Sequence, residues 1–441
     1  MRRLLAALAG ATLAITPASL SNAAEAVLTL DQALARALAH HPALGALEAT
    51  ARSRSSGEQA EKRRRMGEVS AQAAFQRQSD DMLIRPMTRD LLASGPENMP
   101  FDDAYGSWSV GYHLPLYSGG ALASATRAAQ QGAAAARAGL LRATASLRHQ
   151  VLATYAGLLS LDGQIVAWEQ EKQALASLLE HIRLGEQAGR LAHVDSLKAQ
   201  VRIQEAQARL ADLRGRRASL DARLAALLGE ERPPAGGYVV AAIPAPELGS
   251  LENEEALIAI ALTRRSDLRQ ARHLEQERQA EAQVARAARR PQVQLDARLH
   301  GVHAAGYSFN DTYWTVAATA SIPLSDMGRR RHLAERREHL ARAAALNTRD
   351  LEGRIRAEVR SALAALRTAR AALGAHRAAL ELAREVARLE QLKYDSGRGN
   401  IDDLLAARAR LRGAESNLLQ ARNDLIVAAD DLRTTIEGEI P

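Results

Sequence analysis

Two histidine pairs have the residue type and close spacing that a metal site could use. His300 and His303 stand three residues apart, and His40 and His41 are adjacent. The first pair falls in a segment with the alternation of a β-strand, where residues three apart point to opposite faces. His40 and His41 fall at the surface of a predicted helix. Neither pair is expected to hold an ion, and we predict no metal-binding, catalytic or cofactor-binding residues.

The composition of the 441-residue chain excludes further chemistry. There is no cysteine, which excludes disulfides, cysteine metal sites and an N-terminal lipid anchored through cysteine. The net charge of +7 comes from basic residues interspersed with acids, without a basic block rich in aromatics, so nucleic acid is not a predicted partner. Glycine-rich phosphate loops are also missing from the sequence. The protein is therefore not expected to be an enzyme.

The stretch 380–432 predicts a helix, a sharp turn and a second helix. The first helix ends near Tyr394, and the turn contains Gly397 and Gly399. Asn400 can cap the helix that follows. Leucine recurs every seven residues in that helix, and alanine follows each of the first four leucines by three, which indicates closely packed antiparallel arms. The leucines are Leu404, Leu411, Leu418, Leu425 and Leu432.

The hairpin occurs twice in the chain. Gly397 and Asp403 each follow a matching residue, Gly189 and Asp195, by 208 residues. The same offset separates a Leu-Pro-Leu motif from an Ile-Pro-Leu motif. An internal duplication therefore organises the fold.

A helical segment opens each copy. In the first copy, Thr29 and Gln32 fit a capping box. Aligning Leu34 with Leu257 gives an offset of 223 residues, which exceeds the hairpin offset by 15. We assign the additional residues to a proline-containing loop at 82–100.

Between the helices the hydrophobic period changes to two. Four segments of roughly ten residues alternate apolar and polar side chains, as transmembrane β-strands do. A soluble antiparallel sheet packed on helices is the alternative. The expected lipid-facing residues are Trp108, Leu295 and Val316, and the expected lumen-facing residues are Asp296, Arg298 and Thr315.

The predicted domain boundaries follow from these patterns. Residues 1–24 resemble a secretory signal, with two arginines before a short apolar core and small residues for cleavage. Residues 25–229 form the first repeat, 230–250 a proline-containing strap, and 251–441 the second repeat. The longest predicted helix spans roughly 100 Å at about 1.5 Å per residue, a length that fits a periplasm. The predicted class is an α+β membrane protein.

Four strands cannot close a barrel, and open sheet edges are not tolerated in lipid. The chain is therefore expected to form oligomers around an axis. Three copies would give twelve strands and twelve helical arms, whereas two copies would give a barrel too narrow for a conduit.

The mature chain resembles the TolC-like outer-membrane efflux protein family. The resemblance rests on LDQAL at 30–34 followed by His41-Pro42, on LPLYSGG at 114–120, and on YDSG at 394–397 leading into IDDLL at 401–405. It implies a homotrimer with a twelve-stranded barrel in the outer membrane and a helical tunnel in the periplasm. It also implies a periplasmic adaptor and an inner-membrane pump as partners.

The resemblance further implies a set of site residues at the turns. Asp403 matches a position of an acidic ring at the tunnel constriction, and Asp402 competes for that role. Ala406 stands where some members have a second acid. Tyr394 and Asp195 are candidates for a latch between neighbouring arms, although Tyr394 could simply pack between them. The expected adaptor-facing residues are Gly189, Arg190, Gly397, Arg398 and Gly399.

Two other classes of protein carry long coiled coils. A periplasmic adaptor would need one helical hairpin flanked by small β-domains. A structural coiled-coil protein of the envelope would not need four alternating strands. The duplicated hairpin and the strands therefore favour the channel.

Overall fold

A computed structural model describes residues 27–244, 246, 253–304 and 311–438. The predicted signal peptide and part of the predicted strap lie outside the described residues. The elements, in chain order, are α1 (Leu30–His40), α2 (Pro42–Arg63), β1 (Glu68–Leu83), α3 (Arg89–Ala93), β2 (Phe101–Tyr117), α4 (Ala121–Gln187), α5 (His193–Leu228), α6 (Glu254–Arg264), α7 (Ser266–Ala287), β3 (Gln292–Ala304), β4 (Asp311–Ser321), α8 (Arg329–Asp395) and α9 (Ile401–Ile436).

The strands form one antiparallel sheet in the order β1-β2-β3-β4. Its register gives the sheet two distinct faces, because directly paired residues lie on the same side. Leu295 is paired with Leu114 and Ala318, whereas Asp296 is paired with His113 and Ala317. β1 and β4 are the edge strands, and neither edge has a second partner strand in the described part of the chain.

The apolar face of the sheet is exposed in the single protomer. Phe75, Trp314 and Val69 have 76%, 74% and 71% of their surface exposed. The predicted sets each share a face, with Trp108, Leu295 and Val316 on one side and Asp296, Arg298 and Thr315 on the other. Such a sheet needs an apolar medium or further protein against the first side.

The first strand pair is longer than the predicted ten residues, and the connection 82–100 is not a plain loop. β1 and β2 have 16 and 17 residues, and their register shifts between Arg77 and Met82. The connection contains α3, which begins where Thr88 Oγ1 accepts from Leu91 N. Ile84 at its start is buried together with Val302 of β3. Alternation misses this region because the shifted register interrupts the period of two.

The duplication extends to the lengths of the elements. α4 and α8 both have 67 residues, and α5 and α9 both have 36, at an offset of 208. The helices that open the repeats are related by 224 residues, so the offset of 223 is wrong by one. The buried positions Ala33 and Leu257 are equivalent, whereas Leu34 is only half-buried. The sequence suggested the wrong alignment because the first copy has alanine, Ala33, at the position where the second copy has leucine, Leu257.

Two helical hairpins, α4 with α5 and α8 with α9, extend from the sheet and pack together. The Thr29–Gln32 capping box opens α1 as predicted. In α9, Leu404, Leu425 and Leu432 of the leucine series are buried, while Leu411 and Leu418 are half-buried. α4 contacts α2, α5, α7 and α9. It is also the one described helix long and apolar enough, by composition, to cross a membrane, a property that buried helices of soluble proteins share.

The part of the strap that the structure describes packs against the first hairpin. Leu28 forms a parallel bridge with Val240, and Tyr155 Oη donates to Leu28 O at 2.7 Å. Arg217 of α5 donates to Tyr238 O at 2.8 Å and lies 2.5 Å from Asp162. These bonds satisfy backbone groups that would otherwise be buried without partners.

A buried arginine joins the second repeat to its own last helix. Arg265, between α6 and α7, is only 2% exposed. It forms ion pairs with Asp267 at 2.6 Å and Glu358 at 2.5 Å, and donates to Thr435 O at 3.4 Å. No local pattern in the sequence indicates this network, because Arg265 and Glu358 are 93 residues apart.

Candidate functional site

The two turns that join the long helices have nearly the same geometry. Gly189 and Gly397 have φ values of 68° and 72°. Arg190 N donates to Gly185 O at 2.8 Å, and Arg398 N donates to Lys393 O at 2.9 Å. These bonds define Schellman motifs, in which a left-handed glycine ends the helix.

The three turn glycines serve two different needs. A Cβ at Gly189 or Gly397 would meet no atom within 4 Å, so only the positive φ calls for glycine there. A Cβ at Gly399 would lie 3.0 Å from the Cβ of Lys393 and from Tyr394 N, so this glycine permits a close approach. The space next to Gly189 and Gly397 is therefore open to a partner.

A hydrophobic cluster just behind the turns, here called the tip cluster, joins the two hairpins. It draws residues from α4, α5 and α9, and Tyr394 of α8 packs against it. The hairpin ends are therefore held together within one protomer. The buried members are Leu175, Leu178, Leu179, Ile182, Ala199, Ala206, Ile401, Leu404 and Leu405.

The two candidate constriction carboxylates differ in their surroundings. Both are exposed. Asp402 forms an ion pair with Lys198 of α5 at 2.6 Å, and this hydrogen bond is the main cause that raises the pKa of Lys198. Asp403 N donates to Asn400 Oδ1 at 2.8 Å, which confirms the predicted cap. Within the described residues, the Asp403 carboxylate forms no ion pair.

Tyr394 and Asp195 lie near each other in one protomer but are not hydrogen-bonded. The Tyr394 hydroxyl is buried and has no hydrogen-bond partner among the described residues. Burial is the main cause that raises the pKa of Tyr394, and the charge of Asp195 adds to it. The ring packs against the tip cluster, and the latch stays a prediction.

An ion-pair cluster farther from the turns links the hairpins again. Glu171 of α4 is 3% exposed and lies 2.9 Å from Arg412 and 3.7 Å from Arg408, both on α9. The sequence alone does not reveal this contact, because Glu171 and Arg412 are 241 residues apart. The available signal was the position of Glu171, seven residues before the buried Leu178 of the same helix.

A histidine forms a third link between α4 and α9. His149 Nδ1 lies 2.7 Å from Asp430 Oδ2, and Nε2 lies 4.0 Å from Asp431. The hydrogen bond with Asp430 is the main cause that raises the pKa of His149, while burial and Arg142 act in the opposite direction. Protonated His149 therefore strengthens the contact between the two hairpins.

His300 and His303 do not point to a common site. His300 is paired with Ser109 and His303 with Gly106, which places the two side chains on opposite faces of the sheet. His300 stacks on Tyr313 with ring centroids 4.8 Å apart. In the described ranges, no group of three histidine or carboxylate residues is arranged to hold a metal ion.

A protein-family profile matches most of the chain. The profile described as outer membrane efflux protein matches residues 33–230 and 257–437, which are the two repeats. A search of curated protein sequences found no match.

Several solved structures share the fold at low sequence identity. The outer membrane protein VceC of Vibrio cholerae has 17% identity and a TM-score of 0.76, with 93% of this chain and 97% of that chain covered. The open state of the MtrE outer membrane channel of Neisseria gonorrhoeae has 20% identity and a TM-score of 0.74, covering 93% and 89%. The CmeC outer membrane channel of Campylobacter jejuni has 14% identity and a TM-score of 0.79, covering 92% and 85%.

Proposed function

The chain belongs to the outer membrane efflux protein family, and from this premise we propose that it is the outer-membrane channel of a three-part export assembly. Its family is one of efflux channels rather than enzymes. The protein lies in the outer membrane and extends into the periplasm. In the proposed assembly, an inner-membrane pump delivers the substrate and a periplasmic adaptor connects the pump to the turns. The observation that carries the proposal is a sheet with two open edges that continues into two helical hairpins.

The open edges support a homotrimer. β1 and β4 end the sheet of one protomer, and a bilayer leaves no water to satisfy their free backbone groups. Pairing β4 of one protomer with β1 of the next closes the sheet. Three copies give twelve strands and twelve helical arms, and the interior is then wide enough for a conduit.

The exposed turns support docking of the adaptor. Gly189 and Gly397 border open space, and the side chains of Arg190 and Arg398 are exposed. Gly399 keeps the second turn compact. The equal lengths of the hairpins bring both turns to the same end of the molecule.

We expect asparagine at both Gly189 and Gly397 to abolish export while leaving the trimer intact. Asparagine tolerates a left-handed φ better than other side chains, and its added atoms would extend into free space at both turns. Export is measured in cells and trimer content in outer-membrane fractions. The matched control places asparagine at Gly215 and Gly374, where a Cβ also meets nothing within 4 Å. Normal export by the turn variant would show that no partner docks there.

The charges at the turns support Asp403 as the constriction residue. Lys198 offsets the charge of Asp402, whereas Asp403 forms no ion pair within the described part of the protomer and has only a longer-range interaction with Lys393, which is itself paired with Glu390. Three carboxylates near one axis would repel one another and attract cations. The same carboxylate also lies in the first turn of α9, where it contributes about 0.3–1 kcal/mol to helix stability.

We expect Asp403→Asn to lower the cation preference of the closed channel in planar bilayers. Asp402→Asn should change selectivity less, since it removes a carboxylate that is already paired with Lys198. Selectivity is read from the reversal potential in a salt gradient. Unchanged selectivity and reduced stability in Asp403→Asn would leave only the capping role.

The pair of Tyr394 and Asp195 supports a latch that forms in one state of the channel. The buried hydroxyl of Tyr394 lacks a partner among the described residues, and the nearby carboxylate of Asp195 could accept its hydrogen bond after a small movement of the arms. The latch would then act beside the ion pair of Lys198 and Asp402.

A further inference from the structure

A band of basic side chains surrounds the junction between the helices and the sheet. Ten cationic residues fall within the segments 61–66, 286–290 and 326–331, against two carboxylates, for a net charge of +8 in one protomer. We call these ten residues the basic collar. They are Lys62, Arg63, Arg64, Arg65, Arg286, Arg289, Arg290, Arg329, Arg330 and Arg331.

Part of the basic collar has no partner of opposite charge inside the protomer. Arg286 forms an ion pair with Glu338 at 2.8 Å, and so is already neutralised. Arg65, Arg289 and Arg329 are exposed and form no ion pair within the described residues. Arg63 is likewise exposed and without an ion pair in the described structure, so four free guanidinium groups per protomer remain for an external anion.

The part of the basic collar that lies between helix and strand recurs in both repeats. Arg289 follows Arg65 by 224 residues, the offset that relates α2 to α7. Both arginines lie between the end of a helix and the start of a strand. Their position is thus tied to the height at which the chain enters the sheet.

Large apolar side chains accompany the basic collar. Met327, Leu324 and Met66 have 95%, 92% and 70% of their surface exposed. Tyr112, on the apolar face of the sheet, donates from its hydroxyl to Met66 O at 2.6 Å. Exposed apolar residues beside arginines are typical of a surface at the boundary between hydrocarbon and headgroups.

The opposite end of the sheet has the opposite charge. Residues 80–103 contain six carboxylates and two arginines, a net charge of −4. The charge difference across the sheet therefore distinguishes the two surfaces of the membrane. The helical end faces the periplasm, because the long helices leave the sheet there.

We propose that the basic collar binds the phosphates of anionic phospholipids in the leaflet that faces the periplasm. Guanidinium groups donate two parallel hydrogen bonds to a phosphate, and the apolar neighbours contact the first carbons of the acyl chains. The proposal rests on the outer-membrane location of the family and is independent of adaptor docking and of the constriction.

Native mass spectrometry of the purified full-length trimer tests the proposal. The trimer is titrated in turn with phosphatidylglycerol, phosphatidylcholine and inorganic phosphate. The collar variant replaces Arg65, Arg289 and Arg329 with glutamine. The control variant replaces Arg223, Arg349 and Arg377, which are exposed helix arginines without ion pairs in the described structure, so both variants lose the same charge.

We expect the collar variant to bind phosphatidylglycerol at least about tenfold more weakly, since each basic residue near an anionic surface contributes a factor of roughly five. Phosphatidylcholine binding and the control variant should be unaffected, and lysine at the same three positions should restore only part of the affinity, because it returns the charge but not the paired hydrogen bonds. Equal losses in the two variants, or no loss, would overturn the proposal. So would binding of inorganic phosphate alone, or a change of channel ion selectivity without a change in lipid binding, which would place these arginines in the lumen.

Discussion

Replacing Leu295 with arginine is expected to lower the free energy of unfolding of the membrane-inserted channel by about 2–4 kcal/mol if this position lies near the bilayer midplane. Leu295 is paired with Leu114 on one side and Ala318 on the other, so its face is apolar across three strands. A charge on that face would have to enter hydrocarbon or draw water into it. The measurement is denaturant unfolding of the channel in lipid vesicles.

The neighbouring residue provides the control for this experiment. Gln294 is paired with Pro115 and Thr319 on the other face of the sheet. Gln294→Arg should therefore change stability much less, because its side chain lies on the face that we expect to line the lumen. Equal losses for the two variants would contradict the assignment of the faces, and a larger loss for Gln294→Arg would reverse it.

Replacing Arg265 with alanine is expected to lower the free energy of unfolding by about 3–5 kcal/mol, because breaking a buried pair leaves its partners without a counter-charge. Arg265 holds Asp267 and Glu358 and caps a carbonyl near the end of α9. Burial acts to raise the pKa of Asp267, but the hydrogen bond and charge of Arg265 lower it overall. The folded-state pKa is thus below the unfolded one.

The sign of the pH dependence follows from that direction. Asp267 contributes stability above its unfolded pKa, and this stability is lost as the pH falls through the lower folded pKa. In Arg265→Ala, the folded-state pKa of Asp267 rises toward the unfolded one, so the stability that Asp267 loses at acid pH should become smaller. Arg264→Ala is the control, since Arg264 is exposed and forms no ion pair in the described structure. Similar losses of stability in the two variants would contradict the assigned role of Arg265.

The helical hairpins and their turns were predictable because their signals are local. A seven-residue leucine period, an asparagine cap and a glycine turn each act over a few residues. The cap of Asn400 on Asp403 N is confirmed at 2.8 Å. The outer-membrane channel fold, proposed from the strands and the duplication, is confirmed by the family profile and by the solved structures.

The contacts between distant segments could not be read from the sequence. Lys198 and Asp402 are 204 residues apart, and Arg265 and Glu358 are 93 apart. The position of a polar residue in a heptad does not identify the residue with which it pairs. Only the structure therefore shows that Asp402 pairs with Lys198 and that Asp403 does not. The one-residue error in the repeat offset has a related cause, since alanine and leucine can occupy equivalent buried positions.

The unpaired edges of β1 and β4 also bear on how the channel reaches the membrane. A lone protomer has two unpaired rows of backbone groups and an exposed apolar face, so its sheet is unstable in lipid and prone to aggregate in water. In the proposed trimer, insertion and edge pairing must therefore occur together, and the rate of assembly should depend steeply on protomer concentration. The connection 84–100, with its four charged side chains, must cross the hydrocarbon during that step. Once it has crossed, its charges oppose the return, which makes insertion a one-way event.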